Sequence, residues 1–504
     1  MLSVALIFVN LNIKPIKINS MKNLFIICIF CLVSTLVNAQ TEISAFNATG
    51  AGYSTSYLTD YQCLGVNPAN LGFTRNNHTM NIGFFEFSGS IYTEALTRSQ
   101  VVNDMFNSNF KLDAEGKLDA TESFTDSRLI GQGSVMGIGF SYQDEDIGGF
   151  AFNIRERLMW HSILNDNGAN FLFLGWNDPY FDQHEIEDGD TISGYSSDPG
   201  MVTDIYKGTD NHMLMYREYN FGYGRKVMKK EDFTWYAGVG IKYIVGYGMT
   251  QYYQKSSGEL DGYSALSPTF GVEFDEPTPS QIDGSGYKKV GSGFGFDIGT
   301  TFEYKEKLKV SLAVNDIGSV KWDGNVYTAN NTSVWKIETE GLDNYNIFEQ
   351  GELINTDNLP EDPSMWTGLN EKKFSLPTNF RGGASYRFDK MIEVGADIYV
   401  PLGEKVPGVY EAPVFGLGAK YDPADWVQLS LGVVSGGKFG TNVPFGVLFY
   451  PVKKETNTWE IGFSIRDMTS YFKNENPTVS MAFGFLRFSF GTKEASTRYL
   501  EDES

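Results

Sequence analysis

Only four of the 504 residues are histidines: His78, His161, His184 and His212. Imidazole is the side chain best suited to moving protons near neutral pH and to holding transition metals, so these positions bound the chemistry open to the chain. His161, His184 and His212 fall in or beside one stretch that also carries Asp182 and Glu185. A loop-borne hydrolase or a metal centre would use such a set. Their spacing argues otherwise. No His-Glu-x-x-His pair puts two ligands on one helical face, and no Gly-x-Ser-x-Gly elbow presents a nucleophile. The expectation is therefore no enzyme, no metal site and no cofactor. Gly291-Ser292-Gly293-Phe294-Gly295 has the look of a phosphate-cradling loop, but it heads an alternating run with no helix after it. Trp160, Trp176, Tyr180 and Phe181 suit an apolar or sugar ligand; more often such rings fold a long loop on itself.

The elements that would position these residues are strands. In Trp235 to Tyr247 the odd positions are Trp, Ala, Val, Ile, Tyr, Val and Tyr, and the even ones are Tyr236, Gly238, Gly240, Lys242, Ile244 and Gly246. In Gly293 to Tyr304 the greasy positions are Phe294, Phe296, Ile298, Phe302 and Tyr304, opposed by Gly293, Gly295, Asp297, Gly299 and Glu303. Successive strand side chains point to opposite faces, so each run has one aromatic face and one small or polar face. Fourteen such strands are expected near 79–89, 131–142, 148–158, 213–225, 233–248, 292–304, 307–317, 379–388, 391–402, 412–421, 426–434, 442–450, 458–467 and 479–491. Most are long enough to cross a hydrocarbon layer at a tilt. Short and long connections alternate along the chain, as in barrels with turns on one side of a membrane and loops on the other. The fold class read from this pattern is all-β: a transmembrane antiparallel β-barrel of about 14 strands. A soluble sandwich also alternates, but strand length, one-sided loops and heavy Phe, Tyr and Trp use favour the barrel. In the last strand the apolar set moves from Val479, Met481, Phe483 and Phe485 to Leu486, Phe488 and Phe490, which predicts a bulge near Phe485.

Lys22 followed by apolar residues 24–37 and Val37-Asn38-Ala39 has the form of a signal peptide over 21–39, with residues 1–20 as an extension ahead of it, best explained by too early a start. Without the signal region the chain has 37 basic and 62 acidic side chains, a net charge of −25 that argues against a nucleic-acid partner. Cys63 alone remains after processing, so no internal disulfide holds the fold. Inward positions Lys242, Asp297, Glu303, Lys309, Glu393, Asp397, Glu460 and Arg466 carry both signs, which fits attachment of a plug and equally a water-filled lining.

Residues 40–78 precede the first strand and read as a plug for a barrel at 79–491, with a polar tail at 492–504. They contain Asn47 to Ser54, a Gly-Ala-Gly stretch, and then Gly65-Val66-Asn67-Pro68-Ala69-Asn70-Leu71-Gly72. Asn67 is suited to cap a helical turn with Pro68 at its first position. The inward glycines 238, 240, 246, 293, 295 and 299 leave room for another backbone.

On these residues the chain resembles the FadL-like outer-membrane barrels, whose N-terminal hatch carries an Asn-Pro-Ala motif, here Asn67, Pro68 and Ala69. Asn70 stands where fatty-acid transporters commonly have Gly. The resemblance extends to the PorV-like and PorQ-like barrels associated with type IX secretion, and Leu312 to Gly318 followed by Trp322 looks like a strand ending recurrent in these families. It implies an outer-membrane barrel with both termini periplasmic, a monomer set among lipids, passing small hydrophobic molecules of the long-chain fatty acid type. It implies as the alternative a non-transporting barrel that docks a secreted or surface protein. Neither implication names a ligand-binding residue.

Overall fold

The computed structural model describes residues 50–74, 78–107, 109–144, 146–272, 274, 277–345, 365–403, 412–437 and 440–491. The stretches expected as an extension (1–20), a signal peptide (21–39) and a polar tail (492–504) lie outside the described residues, as does part of the acidic connection before the eighth strand.

Fourteen antiparallel strands form the wall: β1 (Met80–Thr93), β2 (Arg128–Asp144), β3 (Gly148–Ile163), β4 (Asp210–Lys230), β5 (Phe233–Gln254), β6 (Gly291–Tyr304), β7 (Leu308–Trp322), β8 (Asn379–Arg387), β9 (Ile392–Pro401), β10 (Val414–Ala424), β11 (Val427–Gly436), β12 (Phe445–Lys453), β13 (Asn457–Ile465) and β14 (Thr478–Phe490). Each pairs with its sequence neighbour, and β14 pairs back to β1 from Met80↔Phe490 to Tyr92↔Thr478, which closes the ring. Closure leaves the wall without the unpaired edge that lipid cannot solvate. All fourteen sequence-predicted strands are present.

Alternation decides which face meets what. Along β5 and β6 the residues Val239, Ile241, Tyr243, Phe294, Phe296 and Ile298 are exposed, and Phe140, Phe221, Leu312, Phe415, Phe449 and Phe463 extend the same apolar exterior around the ring. A contiguous exposed apolar belt is what lipid requires and water penalises. The inward positions are buried, and along most of the wall they are small or polar. The predicted bulge is present: β13 pairs Glu460 with Arg487 and then Gly462 with Gly484, so Phe485 and Leu486 share one step and both stay exposed.

Strands β3 to β5 run past the predicted ends, with 16, 21 and 22 residues. At the long-loop end they join the hairpin strand Leu260–Leu266, with Val326–Ala329 and Trp366–Leu369 beyond it, and Lys372–Ser375 prolongs the sheet beside β7. These segments fall in stretches expected as loop, because the alternation fades where both faces are covered. The outward side chains Leu129, Trp160 and Met213 pack there on the helices Ala114–Phe124 and Asp166–Leu174 in one apolar core. The helices start at Asp113 and Asn165, whose side chains accept from the Gly116 and Gly168 N–H groups. A small separate sheet combines Gln183–Glu187, Asp190–Tyr195 and Lys336–Ile337.

Candidate functional site

Residues 50–73 lie inside the ring, and inward-facing groups hold them from nearly every side. Asn67 Oδ1 accepts from the Ala69 N–H at 3.2 Å, capping the turn Pro68–Gly72, while its Nδ2 donates to Thr301 Oγ1 on β6 at 2.9 Å. Asn70 Nδ2 donates to the carbonyls of Leu58 (2.7 Å) and Thr55 (2.9 Å), and Thr301 Oγ1 donates to Asn70 Oδ1 at 2.7 Å. A Gly at position 70 would make none of these bonds. Pro68 and Ala69 sit on Gly238, and Asn67 on Gly299; a Cβ on either glycine would run into them. The other four inward glycines singled out in the sequence face lumen side chains or wall backbone instead, Gly246 lying on the Trp322 ring.

On the opposite wall Asp397 of β9 accepts from the Ser54 and Thr55 N–H groups at 2.7 and 2.8 Å and from both hydroxyls. Asn315 donates to Val66 O (3.0 Å), Asn153 to Tyr61 O (2.9 Å), and Gln143 to Phe73 O (2.7 Å). These wall amides satisfy backbone carbonyls that would otherwise be buried without donors.

Charge is paired as well. Arg487 of β14 meets Asp60 at 2.6 Å and also bridges to Glu460, while Glu86 accepts from Tyr61 OH at 2.7 Å and Gln62 Nε2 at 2.9 Å. Burial pushes the Asp60 carboxyl above its ordinary value, and the Arg487 guanidinium beside it pulls the other way without cancelling the effect. Burial likewise pushes the Cys63 thiol well up, so this cysteine is a small buried apolar residue and not a nucleophile. Of the sequence-singled charges, Lys242 pairs with Asp297 (3.1 Å) and Asp316 (2.5 Å), Lys309 with Glu303 (3.4 Å), and Arg466 donates to Ser90 Oγ (3.3 Å).

The inward positions of β5 give the order of layers along the lumen. Gly238 meets Pro68; Lys242 carries the ion trio; Ile244 then enters an apolar layer with Met159, Leu214, Tyr216, Val320, Trp322 and Leu376. From Gly238 to Ile244 is roughly 20 Å at about 3.3 Å per residue. A second feature lies at the other end. A cavity of about 220 Å³ opens beneath residues 57–60 at the short-turn end, with polar lining from Arg387, Glu393, Lys420, Asp422 and Arg487 among others.

The histidines divide. His161 and His212 are register partners on β3 and β4 and come together with Asp210, whereas His184 bonds the Trp176 carbonyl at 2.8 Å and His78 bonds Gly491 O and Thr458 Oγ1. Asp182 and Glu185 serve the small sheet, accepting from Ser197 and from Ser193 and Tyr195. Asp210 escaped the sequence reading, although Asp210-x-His212 on one strand signals a shared face. Of the four loop aromatics, Trp176, Tyr180 and Phe181 fold the outer loops on Phe171, and Trp160 joins the core beneath the helices.

A model for a family of unknown function (DUF5723) matches residues 68–453. No curated protein sequence is significantly similar to the chain. Among solved structures, a TodX deltaS2S3 mutant monoaromatic hydrocarbon channel has 12% identity and a TM-score of 0.46 over 90% of this chain and 99% of its own. The Ralstonia pickettii toluene transporter TbuX has 11% identity and a TM-score of 0.44 over 90% and 100%. A Pseudomonas aeruginosa FadL homologue has 11% and 0.40 over 90% and 99%.

Proposed function

The chain belongs to the family of unknown function DUF5723, and for this member we propose an outer-membrane barrel that lets small hydrophobic molecules pass inward down their gradient, with residues 50–73 as its hatch and Asn67, Pro68, Ala69 and Asn70 as the hatch's fixed point. One observation carries the reading. Directly outward of the hatch the lumen is lined by Ile244, Leu214, Val320, Trp322 and Leu376, apolar side chains where a water-filled pore would place polar ones. An apolar solute gains by leaving water for such a layer, by about 25 cal/mol per Å² buried. The polar hatch below then sets the barrier to passage. The layer is packed, so passage requires these side chains and the hatch to move together, and no nucleotide or covalent step enters. Gly491 follows the last residue of β14 at the short-turn end, which is the periplasmic side in this reading.

The test is uptake of a labelled long-chain fatty acid into liposomes holding the full barrel, with a sugar of similar size as control. Fatty acid flux above empty liposomes, raised by Asn67→Ala, supports the reading; equal flux in all samples eliminates it.

One feature favours a second reading, docking of a secreted or surface protein. The hairpin Gln183–Glu187 and Asp190–Tyr195 exposes Ile186 and Ile192 amid Glu185, Glu187, Asp188 and Asp190. Retention of a partner by the wild type and its loss on deleting that hairpin would establish this role; unchanged retention rules the hairpin out.

A further inference from the structure

We propose that the outer mouth of the barrel holds a divalent transition-metal site, zinc by preference, built from His161 of β3 and Asp210 and His212 of β4.

Three observations converge. The donor atoms of these residues all lie within 4.8 Å of one another. The register explains why: His161 pairs with His212 across β3 and β4, His212 pairs with Gln251 across β4 and β5, and Asp210 is two residues from His212. Directly opposed strand residues share a face with Cβ atoms about 4.5–5.5 Å apart, so the row is a property of the backbone and not of chance side-chain approach. The imidazoles of His161 and His212 lie nearly parallel, 12° between planes and 6.1 Å between centroids.

The second observation is an unmet need. His212 is 4% exposed, yet neither ring nitrogen has a hydrogen-bond partner. Its Nε2 does approach Asp210 Oδ1 at 2.6 Å, but the two groups do not meet in hydrogen-bonding geometry. A buried polar atom without a partner is costly, and a cation answers the need of the His212 ring nitrogen. The Oε1 of Gln251, next in the row, is also buried and without a partner, and supplies a further oxygen on the same face.

The donor chemistry selects the ion. Two imidazole nitrogens and a carboxylate suit zinc, whereas calcium and magnesium take oxygen sets. Tetrahedral zinc with bonds of about 2.0–2.1 Å brings donor atoms to roughly 3.4 Å, so binding draws the ring nitrogens and Oδ1 together by side-chain rotation. An ion there ties the outer ends of β3 and β4 beside the apolar layer. The site stands whether or not the barrel transports.

The experiment uses the full chain, folded in detergent and stripped with chelator, titrated with Zn²⁺ and separately with Co²⁺ as a spectroscopic reporter. One equivalent of Zn²⁺ and visible Co²⁺ absorption of tetrahedral strength are expected. His161→Ala and His212→Ala should each weaken Zn²⁺ binding by at least ~30-fold and Asp210→Asn by about 10-fold, while the double variant His78→Ala/His184→Ala binds as the wild type. Binding well below one equivalent in the wild type overturns the proposal, as does undiminished binding when His161 and His212 are both replaced. If those variants lose the heat-resistant folded form, X-ray absorption at the zinc edge of the wild type decides: two imidazoles in the shell support the site, and one or none overturns it.

Discussion

Lys242 of β5 and Asp316 of β7 meet at 2.5 Å in the middle of the barrel, and Asp316 reaches that point only because its backbone is left-handed, with φ of 60°. The register of β7 against β6 slips between Val314 and Ile317 at that place. The bulge lets Asn315 bond Val66 of the hatch and Asp316 bond Lys242 from consecutive residues, which strict alternation would send to opposite faces. Replacing Lys242 by Ala strands Asp297 and Asp316 as buried charges, so we expect a loss of about 3–5 kcal/mol in folding stability. Lys242→Met combined with Asp297→Asn and Asp316→Asn should recover most of it. Denaturant unfolding in lipid vesicles, followed by the heat-modified gel shift, measures both.

Asn67→Ala removes the cap of the turn and the bond to Thr301. The cap alone is worth about 1 kcal/mol, and the exposed partners add to it. Amides of residues 65–73 should exchange hydrogen faster by roughly tenfold, while those of β5 and β6 stay unchanged.

Asp397 receives four donors from Ser54 and Thr55. Hydrogen bonds to a charged acceptor contribute about 1.5–3 kcal/mol, so Asp397→Ala should free the first part of the hatch and leave the Asn67 end seated. Limited proteolysis should then cut near residues 50–58 in the variant and spare the wild type.

Gly238→Val places a branched side chain where Pro68 and Ala69 lie. Neither backbone can yield without leaving its hydrogen bonds, so the hatch should be expelled from a barrel that still forms. Protease removal of residues 50–73 with a heat-resistant remainder is the expected result; an intact, protected hatch would contradict the packing.

Asp60 sets a pH dependence of uncommon sign. Its folded pKa is raised by burial, so between the ordinary carboxylate value and the raised one the folded state binds more protons than the unfolded state. Its contribution to stability therefore falls as pH rises through that window and grows as pH is lowered. The stability difference between wild type and Asp60→Asn should shift in favour of the wild type as the pH drops through that window, measured by denaturant titration.

The wall was legible in the sequence because an apolar exterior on a closed barrel imposes a period of two on every strand, and Phe294, Phe296 and Ile298 or Val239, Ile241 and Tyr243 report it directly. The bulge at Phe485 was legible for the same reason, since both halves of β14 must keep their apolar side chains outward. The extensions of β3 to β5 were not, because Trp160 and Met213 face a protein core and the side chains opposite them are apolar too, so the one-sided pattern fades. The meeting of His161 with His212 depends on the register of two strands joined by 46 residues, 164–209. Spacing along the chain carries no trace of that register, and His184, nearer in sequence to both, belongs elsewhere.

The seam between Met80 and Phe490 also dictates an order of events during biogenesis. A ring whose first and last staves zip together stays open until the final strand has been delivered, whereas Asn67 and Pro68 end up enclosed by staves on all sides. An N-terminal segment that nests while the sheet is still open meets its partners on the wall without having to pass a closed rim.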